Sequence, residues 1–173
     1  MGQETRKEKA VNLFLEGYNC SQSVFVAFAD LYGLDRETAL KLSASFGGGM
    51  GRMREVCGTV SGMLMVAGME TGAVEGKDIQ GKKRNYDIVQ ALAGEFRKRN
   101  GSIYCKELLG LVPKAADMEK DARAEDVPSQ TVAFTDTRPE ERTEEYYKKR
   151  PCLALIQDAV DILETVLFRD DVL

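Results

Sequence analysis

Apolar residues recur at three- and four-residue spacing along almost the whole of this 173-residue chain, and that period restricts it to packed helices. Ala10, Leu13, Phe14 and Gly17 share one face of a helix over about 4–17. Cys20, Val24, Ala27, Phe28 and Leu31 mark the stripe of a second, stopped by Gly33. Asp35 caps a third that runs to about Ser45, with Thr38 and Ala39 in its first turn and Leu42 facing inward. A glycine loop follows, then a helix from about Arg54 to Glu70. Ile88, Leu92 and Phe96, four apart, define a long helix over about Lys83–Arg99, closed by Asn100-Gly101. Ser102 is placed to cap a short helix holding Cys105, Leu108 and Leu109. Residues 113–138 read as an irregular insertion or lid, with a short extended piece at Thr131–Phe134. A turn or two of helix is expected over Glu140–Lys149. Pro151 then opens a last helix with Leu155, Ala159, Ile162, Leu163 and Val166 inward. The expectation is all-α: six or seven helices around one core, a single domain over 1–173.

Composition narrows the function. The net charge is −4, which argues against a nucleic-acid partner. Lys82-Lys83-Arg84 and Arg97-Lys98-Arg99 are short enough to be solvated helix ends. The apolar stretch Val56–Met69 is too short to span a bilayer, so membrane insertion is not expected. The first residues show neither a signal-peptide apolar region nor a complete myristoylation motif, and a cytoplasmic location is the expectation. In such a compartment thiols are kept reduced, so a static disulfide framework is a poor use of four cysteines. Histidine is absent. That removes cysteine–histidine catalysis, mixed cysteine–histidine zinc sites and histidine-ligated haem.

The four cysteines, Cys20, Cys57, Cys105 and Cys152, each follow a helix-opening signal. A helix N-terminus offers unpaired N–H groups and partial positive charge, both of which favour thiolate. No C-x-x-C is present, so neither a thioredoxin motif nor a zinc ribbon is written in the spacing. Beside them lies the loop Gly47-Gly48-Gly49-Met50-Gly51-Arg52-Met53-Arg54. Its glycines permit positive φ, its N–H groups could form an anion nest, and Arg52 and Arg54 add charge. It is not a P-loop, because no strand precedes it and no Gly-Lys-Ser/Thr ends it. Gly58 and Gly62, four apart, put a smooth face beside Cys57. That face either lets another helix approach or walls a site.

Asn19-Cys20-Ser21-Gln22-Ser23-Val24, Phe46–Arg52, Cys57-Gly58-Thr59-Val60-Ser61-Gly62 and the later single cysteines Cys105 and Cys152 resemble the C_GCAxxG_C_C family. That family consists of small bacterial and archaeal proteins described as redox-active from four shared cysteines. Thr59 stands where the family usually has alanine, and the resemblance runs over about residues 8–167. By position it implies that Cys20, Cys57, Cys105 and Cys152 are the redox residues. The setting it implies is Gly47, Gly48, Gly49, Gly51, Arg52, Arg54, Gly58 and Gly62. It names no substrate.

Three functions follow. The first is thiol–disulfide or electron-transfer chemistry with an unknown redox partner; three disulfide pairings are open, and Cys57, with Arg54 beside it, is a candidate attacking thiol. The second uses the same four cysteines as thiolate ligands of zinc or an iron–sulfur cluster. The third is a binding module that holds a small anionic ligand against the glycine loop. The Gly58/Gly62 face and Val166-Leu167-Phe168 could also serve a homodimer.

Overall fold

The structure, a computed structural model, describes residues 4–114 and 134–168. Among these residues there are eight regular α-helices, besides a distorted turn over Gly47–Met50, and no strand. They are α1 (Arg6–Leu15), α2 (Cys20–Phe28), α3 (Arg36–Ala44), α4 (Gly58–Thr71), α5 (Ile79–Asn100), α6 (Cys105–Leu108), α7 (Glu144–Lys149) and α8 (Cys152–Ile162). A 3₁₀ turn follows α2, and a π turn over Leu163–Leu167 ends α8. No described helix is long and apolar enough to cross a membrane.

Caps set the helix starts. Thr5 and Asn19 each close a capping box with the residue three later, Glu8 and Gln22. Asp35 accepts from the Thr38 N–H. Asp78 accepts from the Gly81 N–H, and so α5 begins at Ile79, a turn earlier than its apolar spacing predicts.

The central element is α2, which packs on α1, α3 and α4, while α8 closes the other side against α1, α4 and α5. Phe14, Phe25, Phe28, Met63, Phe96 and Ile156 are fully buried between them. Each such side chain contributes about 1.5–3 kcal/mol of burial. Gly62 is where α2 and α4 touch. A Cβ there would lie 2.7 Å from the Ser21 carbonyl oxygen and 3.1 Å from Val24 Cβ. Its smoothness serves helix approach.

Several expectations need correction. The fourth helix starts at Gly58, not Arg54, because Arg52 and Arg54 have φ of 69° and 62°, outside the helical region. Ser102 does not cap α6. Its hydroxyl accepts from the Tyr104 N–H, and extended Tyr104 precedes the helix. Pro151 stands one position before the last helix begins. Leu31 and Leu42 are half exposed, because α2 gives way to the 3₁₀ turn and α3 buries only Ala39 and Ser43. Residues 134–143 have no regular secondary structure, in line with the irregular end expected for the 113–138 stretch. The rest of that stretch from 115, and with it most of the Thr131–Phe134 piece, lies outside the described residues.

Candidate functional site

The starts of α2, α4, α6 and α8 converge on one cavity of about 270 Å³, lined by Cys20, Cys57, Cys105 and Cys152. Three of these cysteines are the first residue of their helix, and Cys57 is the residue before α4. All four are free thiols, 4–9% exposed.

Local backbone contacts bring them together. Asn19 fixes the Cys20 end: its side-chain amide donates to the Ala44 carbonyl at 2.9 Å, tying α2 to the end of α3. Cys57 and Cys105 are joined by an isolated antiparallel bridge between Val56 and Tyr104. The Cys57 N–H donates to Ile103 O at 2.8 Å, and the Cys105 N–H donates to Glu55 O at 2.7 Å. These bonds occupy the chain just before α4, the reason it is extended instead of helical.

The glycine loop forms the rim. Gly48, Gly49, Met50, Gly51, Arg52 and Arg54 all have positive φ, between 58° and 73°. For Met50, Arg52 and Arg54 this stores strain of roughly 1–2 kcal/mol each. Gly49 is required by contact as well, since a Cβ would lie 2.6 Å from Cys105 Cβ. Gly47, Gly48, Gly51, Arg52, Arg54 and Gly58 line the cavity; Gly49 and Gly62 do not. The N–H groups of Met50, Gly51, Arg52 and Met53 bond to the carbonyls of Phe46, Gly47 and Met50, while those of Gly47, Gly48 and Gly49 have no backbone partner among the described residues. Side chains add charge at the rim.

Arg54 is 7% exposed, with Nη1 3.9 Å from Cys105 Sγ. Its guanidinium therefore serves Cys105, not Cys57. Arg52 reaches across the cavity mouth to Asp136, with 3.0 Å bonds to its carbonyl and carboxylate. This contact holds the 134–143 segment as a strap, and Thr137, Pro139 and Glu140 of the strap line the cavity. Glu140 also pairs with Arg150.

Arg142, Tyr146 and Arg150 are lining residues that the sequence alone did not single out. Both guanidiniums lie over the Tyr146 ring, at 4.7 Å and 4.9 Å. A signal for them is present: two arginines placed four residues either side of a tyrosine.

The thiols differ sharply in acidity. The neighbouring Cys152 sulfur, together with burial, raises the Cys20 pKa well above its usual value, while the neighbouring Cys20 thiol lowers that of Cys152. Burial pushes Cys57 up to about 12, with the nearby Cys20 and Cys105 sulfurs adding to the rise. Burial also raises Cys105, against the opposing pull of Arg54. Helix-start placement thus does not make four thiolates. Desolvation overrides it at Cys57 and Cys105, the Cys152 contact together with desolvation does so at Cys20, and Cys152 alone is acidified.

Among the described residues no three cysteine or carboxylate side chains are gathered closely enough to hold a metal ion.

With this geometry in view, known proteins give a direct comparison. A family model described as "Putative redox-active protein (C_GCAxxG_C_C)" matches residues 18–166. The chain belongs to this family. A relative from Archaeoglobus fulgidus, described as an "Uncharacterized protein", is 30% identical over 142 residues, covering 76% of this chain and 91% of its own length. No solved structure matches. As a C_GCAxxG_C_C protein the chain carries the cysteines of a redox-active family, and all four face one cavity.

Proposed function

We propose that this protein is a thiol–disulfide oxidoreductase whose working dithiol is Cys20–Cys152. The observation that carries the reading is the pair of cysteines at the starts of α2 and α8, which line one cavity and whose acidities move in opposite directions. A protonated donor beside an acidified sulfur is the asymmetry that exchange requires, since the thiolate attacks and the second thiol resolves.

Cys152 thiolate attacks one sulfur of a substrate disulfide. A mixed disulfide forms, and the first substrate thiolate leaves and takes a proton from solvent. Cys20 then attacks the Cys152 sulfur as its proton passes to the second departing sulfur. One substrate disulfide becomes two thiols, and two electrons leave the pair as a Cys20–Cys152 disulfide. Arg150 and Arg142 put positive charge near the two sulfurs. Cys57 and Cys105 remain protonated thiols on the wall built by the Val56–Tyr104 bridge. A reducing cytoplasm would keep the pair in its working form.

Mild oxidation of the reduced protein with one equivalent of diamide tests this. The expected result is a mass lower by two hydrogens and a Cys20–Cys152 peptide pair, both lost in Cys152→Ser. A disulfide that excludes Cys152, or no mass change, overturns the assignment.

A further inference from the structure

Among the described residues, two of the cavity's arginines have no carboxylate within ion-pair distance. Arg52 is paired with Asp136 and Glu140, and Arg150 with Glu140. Among the described residues neither Arg54 nor Arg142 has an acidic side chain within ion-pair distance, although Arg54 is nine-tenths buried. Arg142 is held rigidly: its Nη2 donates to the Tyr18 carbonyl at 3.1 Å, and its plane lies between the Phe14 and Tyr146 rings at 4.6 Å and 4.7 Å. Its Nη1 is buried with no acceptor. A buried guanidinium nitrogen with no acceptor leaves its donor and part of its charge uncompensated, which an anion in the cavity would offset.

The cavity's remaining surface is different in kind. Leu108, Leu109 and Leu155 line it together with the thiols. Its volume, about 270 Å³, is near the lower end of small-molecule pockets, about 300 Å³. The strap crosses the mouth, and the cysteines are 4–9% exposed, which keeps a folded protein's disulfide from reaching them. What fits is small, partly apolar and negatively charged.

Building on the thiol–disulfide reading above, we propose that the substrate is a low-molecular-weight disulfide bearing carboxylates, with Arg142 and Arg54 as the groups that receive them. A carboxylate drawn to Arg142 and Arg54, both of which line the cavity, brings the S–S bond to Cys152 between the leucine walls. The reaction is the exchange already balanced: the substrate disulfide is reduced to two carboxylate-bearing thiols, and Cys20–Cys152 is oxidised. This preference opposes the intrinsic trend, because a free thiolate repels an anionic disulfide and attracts a cationic one.

Three disulfides of nearly equal length separate the charges: dithiodipropionate (dianion), bis(hydroxyethyl) disulfide (neutral) and cystamine (dication). Each is mixed with the fully reduced wild-type protein at equal concentration, and oxidation is followed by mass. Dithiodipropionate should react faster than cystamine by on the order of tenfold to a hundredfold, the scale of one charge-assisted hydrogen bond. Arg142→Met should remove that preference, and Arg142→Lys should retain part of it. Equal rates, or cystamine fastest, overturn the anionic substrate and leave the dithiol reading standing. A parallel arm uses suberate, the same chain with methylenes in place of the sulfurs, and reads protection of Cys152 from iodoacetamide. Protection with no oxidation by any disulfide overturns the redox reading while the anion site stands. Neither protection nor oxidation overturns both.

Discussion

Cys20 and Cys152 open α2 and α8 on the same cavity, and the two thiols move each other's acidity in opposite directions. Both residues are nearly buried, at 9% and 7% exposure, so accessibility does not separate them. Their proximity does: a thiol that stays protonated stabilises the charged form of its neighbour.

Cys152 should therefore be the first cysteine alkylated near neutral pH. Each unit of pKa separation is about tenfold in thiolate fraction, and Cys57 is pushed up to about 12. Substoichiometric iodoacetamide followed by peptide mapping should show label on Cys152 in at least about tenfold excess over Cys57. Cys20→Ala should slow Cys152 labelling by removing the donor. Label concentrated on Cys57 would contradict the assigned polarity of the pair.

The two mid-helix glycines of α4 should respond to alanine with opposite signs. Gly62→Ala puts a methyl group 2.7 Å from the Ser21 carbonyl oxygen, which cannot move without shifting α2. At Gly68 the place a methyl group would take has no neighbouring atom within 4 Å, so Gly68→Ala gains only helix propensity. Urea denaturation should show Gly62→Ala destabilised by about 1–3 kcal/mol and Gly68→Ala stabilised by up to about 1 kcal/mol. Equal effects would mean that the α2–α4 contact is not tight at Gly62.

Helix positions and cysteine placement are legible in this chain because they are local. Asn19, Asp35 and Gly101 act within one turn of the residues they cap, and the structure keeps all three at helix ends. The four cysteines fall at helix starts for the same reason. The start of the fourth helix is not legible, because the residues before it answer to a partner about fifty positions away. Cys57 pairs with Ile103 and Glu55 with Cys105, and no local signal announces that bridge. Acidity is hidden for a related reason. The helix-end field depends on sequence position, whereas desolvation depends on how four elements close over the sulfur. Arg142 lies between these cases. Its spacing from Tyr146 is visible in the sequence, but its unpaired Nη1 exists only once Phe14 and Tyr18 are packed beside it.

Alkaline stability offers the last check, and its sign follows from which state releases the proton. Cys57 has an ordinary pKa of 9.0 when unfolded and about 12 in the fold. Below pH 9 both states hold the proton, and the stabilisation is fully present. Between about 9 and 12 the unfolded chain ionises while the folded protein does not, so stability falls as pH rises. Cys20 and Cys105 are raised too and act in the same direction. Cys152 is opposite: its folded pKa is depressed, so its contribution grows as pH rises toward the ordinary value and is lost as pH falls through the folded one. Denaturant titrations from pH 9 to 11 should show a steep loss. Cys57→Ala should flatten that slope by about 1.4 kcal/mol per pH unit, the linkage of one proton. A slope unchanged in Cys57→Ala would mean that this thiol ionises in the folded protein as readily as in the unfolded chain, and that the wall it forms admits water.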